Sequence, residues 1–254
     1  MIDWAPYTRE LTTKGSMAAM KKVDLVDFQL LSRCTLLAGI PNDLLRSLLQ
    51  AGNRKHLEAK EVVFHRGEAG NRIYFVMDGG VKVSTLSHEG QEIIFDVLVT
   101  GDFFGEMSLF DDKPRTGTVT TLVPTTLFML GKNEFLDSLE QCPVISIRLI
   151  RTLVGRLRMM DSFIEDVIFL DAAERIAKRV IALARMFGRP GENDEIRVDL
   201  KVSQQELANL VGITRESVNK QFREWEKAGV ISIDKGCLIL AQPQFLESLG
   251  ARRD

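Results

Sequence analysis

Residues 203–220 have the sequence SQQELANLVGITRESVNK, which carries the signals of two short helices joined by a tight turn. Ser203 followed by Glu206 is a capping box at the start of the first helix. Gly212 follows the apolar run, where the end of a helix favours a left-handed residue. Thr214 can cap the second helix. This stretch therefore predicts a helix-turn-helix.

The second helix of this motif has one apolar face, because Val218, Phe222 and Trp225 recur four and three residues apart. Its other face is polar, and side chains at the start of such a helix reach base edges in the DNA major groove. An Arg donates two hydrogen bonds to guanine, and a carboxylate accepts one from cytosine. We therefore predict binding to double-stranded DNA, in preference to a helical hairpin with a solvated charged face.

Residues 230–240 predict a two-stranded hairpin around Asp234, Lys235 and Gly236, which makes the motif a winged helix-turn-helix. Lys235 at the tip could contact a phosphate, although a solvated turn lysine is the commoner interpretation. The candidate DNA-binding residues are Ser203, Gln204, Thr214, Arg215, Glu216, Ser217, Asn219, Lys220 and Lys235.

The composition is that of a globular protein, with 254 residues, 45% hydrophobic residues and a net charge of −2. From residue 172 onward there are 14 Lys and Arg against 12 Asp and Glu, so the positive charge is local. Non-specific affinity for DNA should therefore be modest and sensitive to salt. No apolar run approaches the length of a membrane span and no secretory signal opens the chain, so we expect no membrane association.

The three cysteines, Cys34, Cys142 and Cys237, are far apart and odd in number. They argue against a disulfide framework and indicate the reducing cytoplasm. None has metal-ligand spacing with another Cys or with a His, so we expect no metal site. The histidines are His56, His65 and His88.

The N-terminal half of the chain changes pattern twice. Residues 1–24 lack sustained periodicity and are interpreted as a mobile tail, and residues 28–49 are predicted to be helical with a break at Pro41. Short β-type runs punctuated by glycine then follow from residue 61 to residue 130, which predicts an antiparallel barrel or roll. These runs are 62–64, 72–77, 81–83, 93–99, 118–123 and 126–130.

A long helix is predicted over residues 143–170, with an apolar stripe at alternating spacings of three and four. Asp161 occupies the one polar position in this stripe. A lone helix with such a stripe needs a partner, so we predict a parallel homodimer; the alternative is packing on its own barrel. Asp171 can cap a helix over residues 172–187, and a polar loop is predicted for 188–194. The stripe consists of Ile147, Ile150, Val154, Leu157, Ile164 and Ile168.

Residues 101–118, GDFFGEMSLFDDKPRTGT, form a second informative cassette. Gly105 allows close approach of an anion, and Glu106 follows at once. Arg115 and Thr116 supply a forked cation and a hydroxyl nine residues later, so the set could hold a phosphate and a sugar hydroxyl. An Arg–Glu pair that joins two strands is the alternative interpretation.

The cassette, the long helix and the RESVNK recognition helix together resemble the cyclic-AMP receptor protein family of bacterial transcription regulators, over roughly residues 25–245. The resemblance implies an α+β fold with an N-terminal cyclic-nucleotide-binding β-roll, a long central dimerisation helix and a C-terminal winged helix-turn-helix. It also implies a palindromic DNA site with half-sites similar to TGTGA, and RNA polymerase as a partner. The expected boundaries are 1–24 for the tail, 25–142 for the roll, 143–170 for the central helix and 171–254 for the DNA-binding domain.

By this resemblance, the backbone N–H of Gly105 and the side chains of Arg115 and Thr116 bind the cyclic phosphate, and Glu106 binds the ribose 2′-hydroxyl. Arg215, Glu216 and Lys220 match base-reading positions. The expected nucleotide-binding residues are Gly105, Glu106, Met107, Ser108, Arg115, Thr116, Met160 and Asp161.

The chain departs from the family on the central helix, where Met160 and Asp161 replace a Thr-Ser pair that contacts adenine. A carboxylate only accepts hydrogen bonds, so Asp161 could bind the adenine amine or two donors of guanine. We expect cyclic AMP as the effector, with cyclic GMP or both nucleotides as the alternative.

Three other classes of function can be distinguished. An enzyme would require a nucleophile paired with an activating base, and the sequence offers none, so we expect no catalytic residues. Relatives that sense through an iron–sulfur cluster or haem need clustered cysteines or suitably placed ligands. DNA binding that is independent of nucleotide remains a third alternative.

Overall fold

A computed structural model describes residues 22–191, 194–198, 200 and 203–250. The helices are α1 (Lys22–Leu31), α2 (Asn42–Ala51), α3 (Met107–Asp111), α4 (Lys132–Gln141), α5 (Pro143–Phe169), α6 (Ala172–Phe187), α7 (Gln204–Val211), α8 (Arg215–Lys227) and α9 (Pro243–Gly250). The strands are β1 (Asn53–Leu57), β2 (Val62–Phe64), β3 (Arg72–Asp78), β4 (Gly80–Leu86), β5 (Glu92–Val99), β6 (Phe103–Phe104), β7 (Thr118–Thr121), β8 (Thr125–Gly131), β9 (Gly188–Pro190), β10 (Ile196–Val198), β11 (Ile231–Asp234) and β12 (Cys237–Leu240).

Two antiparallel four-stranded sheets form the roll, in the orders β1-β8-β3-β6 and β2-β7-β4-β5. Tyr74, Val76 and Phe104 are buried between its two sheets, whereas Phe75 and Phe103 are fully buried on the side that faces the helices. The predicted roll and its six strands are confirmed. Strands β1 and β6 were not predicted, because β1 exposes four of its five residues and β6 has only two residues.

Helices α1 and α2 cover one end of the roll, where Leu31, Leu45 and Leu48 join the apolar core. Pro41 stands at the N-terminus of α2 with φ −53° and ψ 134°, which confirms the predicted break. Helix α1 begins at Lys22, so the last residues of the predicted tail are helical. Residues 1–21 of that tail lie outside the described residues.

Helix α5 has 27 residues and is about 40 Å long. It packs on the roll near its N-terminus, through buried Ile145 and Leu149, and beyond Leu149 only Asp166 of this helix is buried. The predicted apolar stripe is exposed within the chain and does not pack on its own roll. The exposed fractions are 50% at Ile147, 59% at Ile150, 45% at Val154, 60% at Leu157, 55% at Ile164 and 65% at Ile168.

The C-terminal unit begins at Asp171, whose side chain and Glu174 form a capping box on α6. The prediction of a polar loop over residues 188–194 was wrong for its first part, since Gly188–Pro190 is strand β9 and pairs with β10. A short polar edge strand has no apolar alternation to reveal it, and Pro190 is tolerated at an edge. The sheet order is β11-β12-β10-β9.

The two units touch each other. Ile94 on β5 belongs to the apolar core of the C-terminal unit, and Phe187 at the end of α6 lies beside Gly80. Of the helices that the structure describes, none is long and apolar enough to cross a membrane.

Candidate functional site

Arg115 lies between α3 and β7 with a buried side chain. Its Nη1 donates to the carbonyl of Gly105 at 2.6 Å, and its Nη2 donates to that of Arg72 at 2.8 Å. Its guanidinium carbon lies 4.4 Å from the ring centre of Phe64 and 5.6 Å from that of Tyr74. Burial lowers the pKa of Arg115, and Tyr74 acts in the opposite direction. A guanidinium is charged at every physiological pH, so this fixed fork is suited to bind phosphate.

Two glycines leave the space that the guanidinium occupies. A Cβ added at Gly70 would lie 2.6 Å from Cζ of Arg115, and one added at Gly105 would lie 2.8 Å from Nη1. Gly105 also has φ +84°, which disfavours any side chain. Glycine at these two positions therefore leaves the space that the Arg115 side chain needs.

Glu106 is 3% exposed and forms an ion pair with the central helix. Nη1 of Arg156 donates to Oε1 of Glu106 at 2.8 Å, and Nη2 donates to the carbonyl of Phe103. The guanidinium carbon of Arg156 lies 4.9 Å from the ring centre of Phe103. The role of Arg156 was not predicted from the sequence. The available signal was that a buried carboxylate needs a cation, and α5 carries an arginine one turn before Met160.

The other predicted residues of the cassette lie beside this pair. Ser108 is buried, and a Cβ added at Gly70 would lie 2.8 Å from that of Ser108. Met107 is half exposed, and the hydroxyl of Thr116 lies 3.7 Å from its sulfur. The structure therefore brings the whole cassette together, with Met107 and Thr116 on its exposed side.

Met160 and Asp161 are not brought into contact with the cassette within one chain. Both side chains are exposed on α5. Asp161 lies between Leu157 and Ile164 on the apolar stripe, and none of the described residues forms a hydrogen bond or ion pair with it. Their predicted role therefore depends on what covers the stripe.

Asp96 on β5 lies where the roll, α5 and α6 meet. Burial raises the pKa of Asp96 from its ordinary 3.8 to about 6, although Arg156 and Arg179 act in the opposite direction. Its Oδ1 accepts from the backbone N–H of Val97 at 2.9 Å. Arg179 of α6 also lies 5.1 Å from the ring centre of Phe163. This carboxyl group therefore stands among charges from both units of the protein.

The helix-turn-helix has the predicted caps. Oγ of Ser203 accepts from the N–H of Glu206 at 3.1 Å, and the Glu206 carboxylate accepts from the N–H of Ser203 at 2.8 Å. Gly212 is left-handed, with φ +73°. Oγ1 of Thr214 accepts from the N–H of Ser217 at 3.2 Å. Ser203 and Thr214 therefore hold helix ends together, and Gln204 is half-buried at the start of α7.

Helix α8 buries Val218, Phe222 and Trp225, as predicted. Its opposite side is available to a partner, with Ser217 and Asn219 half-buried at its edge. The exposed polar residues at the start of the helix are Arg215, Glu216 and Lys220.

The predicted wing is the hairpin of β11 and β12. Lys235 and Gly236 have φ +50° and +82°, the two left-handed residues of a type I′ turn, and Lys235 is exposed at the tip. Arg197 donates to Asp234 at 2.9 Å and ties the wing to β10. Within the described ranges, Cys34, Cys142 and Cys237 are free and no cluster of three metal-ligating side chains occurs.

Comparison with protein families gives two matches. Residues 54–142 match the cyclic nucleotide-binding domain, and residues 174–249 match the Crp-like helix-turn-helix domain. The chain is 30% identical over 218 residues to the CRP-like cAMP-activated global transcriptional regulator of Mycobacterium tuberculosis, covering 86% of this chain and 97% of that protein. It is 30% identical over 174 residues to the cAMP-activated global transcriptional regulator CRP of Haemophilus influenzae, covering 68% and 77%.

The fold is similar to that of FixK2 from Bradyrhizobium japonicum, with a TM-score of 0.70 and 18% identity over 80% of this chain and 99% of that structure. A roll with a buried Arg–Glu cassette, joined by one helix to a winged helix-turn-helix, defines a cyclic-nucleotide-binding transcription regulator. The chain belongs to the CRP family.

Proposed function

We propose that this protein is a homodimer that binds cyclic AMP in the roll and, in response, binds a palindromic operator with TGTGA-like half-sites. The observation that carries the proposal is that one fold holds a cassette in which Glu106 and Arg115 are buried beside Gly105, and also an exposed reading face on α8. Cyclic AMP is favoured because the relatives from Mycobacterium tuberculosis and Haemophilus influenzae described above are cAMP-activated by name.

The cassette suits a cyclic nucleotide as follows. Arg115 donates two of its guanidinium N–H groups to backbone carbonyls, which holds the side chain in place. Its other N–H groups remain available for the phosphate. Thr116 and the N–H of Gly105 add neutral donors on the same side. Glu106 meets Arg156 through Oε1, so its other oxygen can accept from a ribose hydroxyl. Met107 and Ser108 complete the wall.

We propose that α5 pairs in parallel with α5 of a second copy. Burial of six exposed aliphatic side chains in each chain supplies the driving force. The two Asp161 side chains would then face each other and lose hydration. A bound base that donates hydrogen bonds to Asp161 would relieve that penalty and complete the seam as far as Ile168.

To change a mostly inactive population into a mostly active one, the nucleotide must prefer the active state by roughly 5 kcal/mol. The operator would then be read by Arg215, Glu216 and Lys220, with Asn219 and Ser217 beside them. Lys235 and Gln204 would contact the backbone, near the helix ends that Ser203 and Thr214 cap.

We also propose that the roll domain spans residues 25–142 and is preceded by the start of α1 at Lys22. The central helix would span 143–170 and the DNA-binding domain 171–254. The protein would act in the cytoplasm, with RNA polymerase as a further partner. Glu106 beside Arg115 suits binding better than turnover, so we expect no hydrolysis of the nucleotide.

Calorimetric titration of nucleotide-stripped protein with cyclic AMP and cyclic GMP tests the effector, and the same titration of Asp161→Ala tests the base contact. Tight binding of cyclic AMP and weak binding of cyclic GMP is the expected result. Binding of cyclic GMP that is as tight or tighter, and that is lost in Asp161→Ala, would make this a cyclic-GMP or dual-nucleotide regulator. Operator affinity that does not change with either nucleotide would indicate the nucleotide-independent alternative.

Arg115→Ala tests the pocket itself. The response to nucleotide should disappear while the dimer persists, because the hydrogen bonds and ring contacts of Arg115 are made to the roll and not to the α5 stripe. Light scattering measures the dimer, and calorimetry measures the loss of binding. Unchanged nucleotide affinity would refute the assignment of Arg115 to the phosphate.

A further inference from the structure

The roll holds the helix-turn-helix through a chain of four polar side chains. Nδ2 of Asn209 on α7 donates to Oε2 of Glu92 on β5 at 2.8 Å, across 117 residues of sequence. The same carboxylate lies 2.8 Å from Nζ of Lys82 on β4. Nε2 of Gln205 donates to Oδ1 of Asn209 at 2.9 Å, so both ends of the Asn209 amide are used.

This contact is largely shielded from water. Asn209 is 8% exposed, and the side chains of Lys82 and Glu92 are 13% and 22% exposed. Ile94, two residues after Glu92, packs in one apolar cluster with the C-terminal unit. Burial favours a raised pKa of Glu92, but hydrogen bonds from Lys82, Ser84 and Asn209 hold it below its usual range. The bond to Asn209 is therefore charge-assisted, and stronger than one between neutral groups.

The reading face of the DNA-binding unit stays free in this arrangement. Asn209 turns one side of α7 towards the roll, whereas Arg215, Glu216 and Lys220 of α8 are exposed. Because Gly212 ends α7 and α8 follows after one turn, the placement of α7 on β5 sets the direction of α8. The roll thus orients the recognition helix without covering it.

We propose that Glu92, held by Lys82, is a positioning residue for operator binding. It acts through Asn209 and docks the helix-turn-helix on the β4–β5 hairpin in the orientation that reads DNA. This inference rests on the proposed function, since operator binding is its readout.

The test exchanges the two polar groups. Asn209→Asp keeps the shape of the side chain but sets a carboxylate against Glu92. In the double variant Glu92→Gln with Asn209→Asp, the new amide can donate to the new carboxylate and restore the bond with reversed polarity. Glu89→Gln makes the same change of charge as Glu92→Gln, but at an exposed position in the turn of the β4–β5 hairpin, so it is the matched control.

Full-length proteins are titrated by fluorescence anisotropy against a labelled duplex with TGTGA half-sites and saturating cyclic AMP. Asn209→Asp should weaken operator affinity by at least about tenfold, because an unpaired buried charge opposes docking. The double variant should return to within about threefold of wild type. Calorimetric affinity for cyclic AMP should stay within about twofold in all variants, since none touches the cassette.

Rescue in the double variant separates positioning from a general loss of folding. Operator affinity that is unchanged or tighter in Asn209→Asp would overturn the proposal, and tighter binding would make the contact autoinhibitory. A double variant no better than Asn209→Asp would also overturn it. Failure of the proposed function would give a different result, because wild type and Glu89→Gln would then also fail to bind the duplex when nucleotide is added.

Discussion

Replacing Arg156 with Met should destabilise the protein markedly, because it leaves Glu106 buried without its cation. The Glu106 side chain is 4% exposed, that of Arg156 is 22% exposed, and the ion-pair distance is 2.8 Å. Removing one partner of a buried ion pair costs about 3–5 kcal/mol. Partial access of water to Arg156 places the expected loss at the lower end, near 3 kcal/mol. For a chain of this size that corresponds to a fall in Tm of about 6–12 °C.

Thermal unfolding followed by circular dichroism measures this loss, with Arg158→Met as the control on the exposed side of the same helix. A second variant, Glu106→Gln, completes a double-mutant cycle. The double variant should lose less stability than the sum of the single variants, because no charge is then left unpaired. A fall in Tm below about 2 °C for Arg156→Met, or strict additivity in the cycle, would refute the reasoning.

Three further perturbations have clear expected outcomes. Leu157→Lys places two charges in the α5 stripe and should convert the proposed dimer to monomer, which analytical ultracentrifugation detects; an unchanged mass would contradict the seam. Arg215→Ala should lose about 1–3 kcal/mol of discrimination at one guanine, measured by competition between operator variants; equal loss on all sequences would contradict base reading. The pKa of Asp96 is raised to about 6, because burial penalises its charged form. The fold therefore has its full stability from neutral Asp96 below pH 4 and loses it as pH rises through 6. Asp96→Asn should therefore exceed wild type in free energy of unfolding by about 2–3 kcal/mol at pH 8, with the gap closing by pH 4 in urea titrations; a gap independent of pH would refute this.

The features that were predictable from sequence are those encoded within a few residues. The capping box at Ser203, the N-cap at Asp171 and the hairpin turn around Lys235 each depend on residues that act on the neighbouring backbone. The α5 stripe is equally local, because its period of three and four can be counted along the chain. Such local patterns do not depend on contacts between distant residues, and the helices and caps that they predict are confirmed.

The features that sequence did not reveal depend on contacts between distant residues. Arg156 meets Glu106 across 50 positions, and Asn209 meets Glu92 across 117. Arg156, Asn209 and Glu92 each look like an ordinary polar surface residue until the chain is folded. Strand β9 was not predicted for a related reason, because it is formed by pairing with β10 and its own residues carry no strand pattern.

The two glycines beside Arg115 have a consequence for how the gene can vary. A methyl group at Gly70 or Gly105 would occupy the volume of the guanidinium, so even the smallest substitution displaces the phosphate ligand. In a saturation library selected for nucleotide response, both codons should tolerate no replacement, while a library selected only for folded protein should accept alanine at Gly70. The difference between the two selections would map the pocket without a structure of the bound complex.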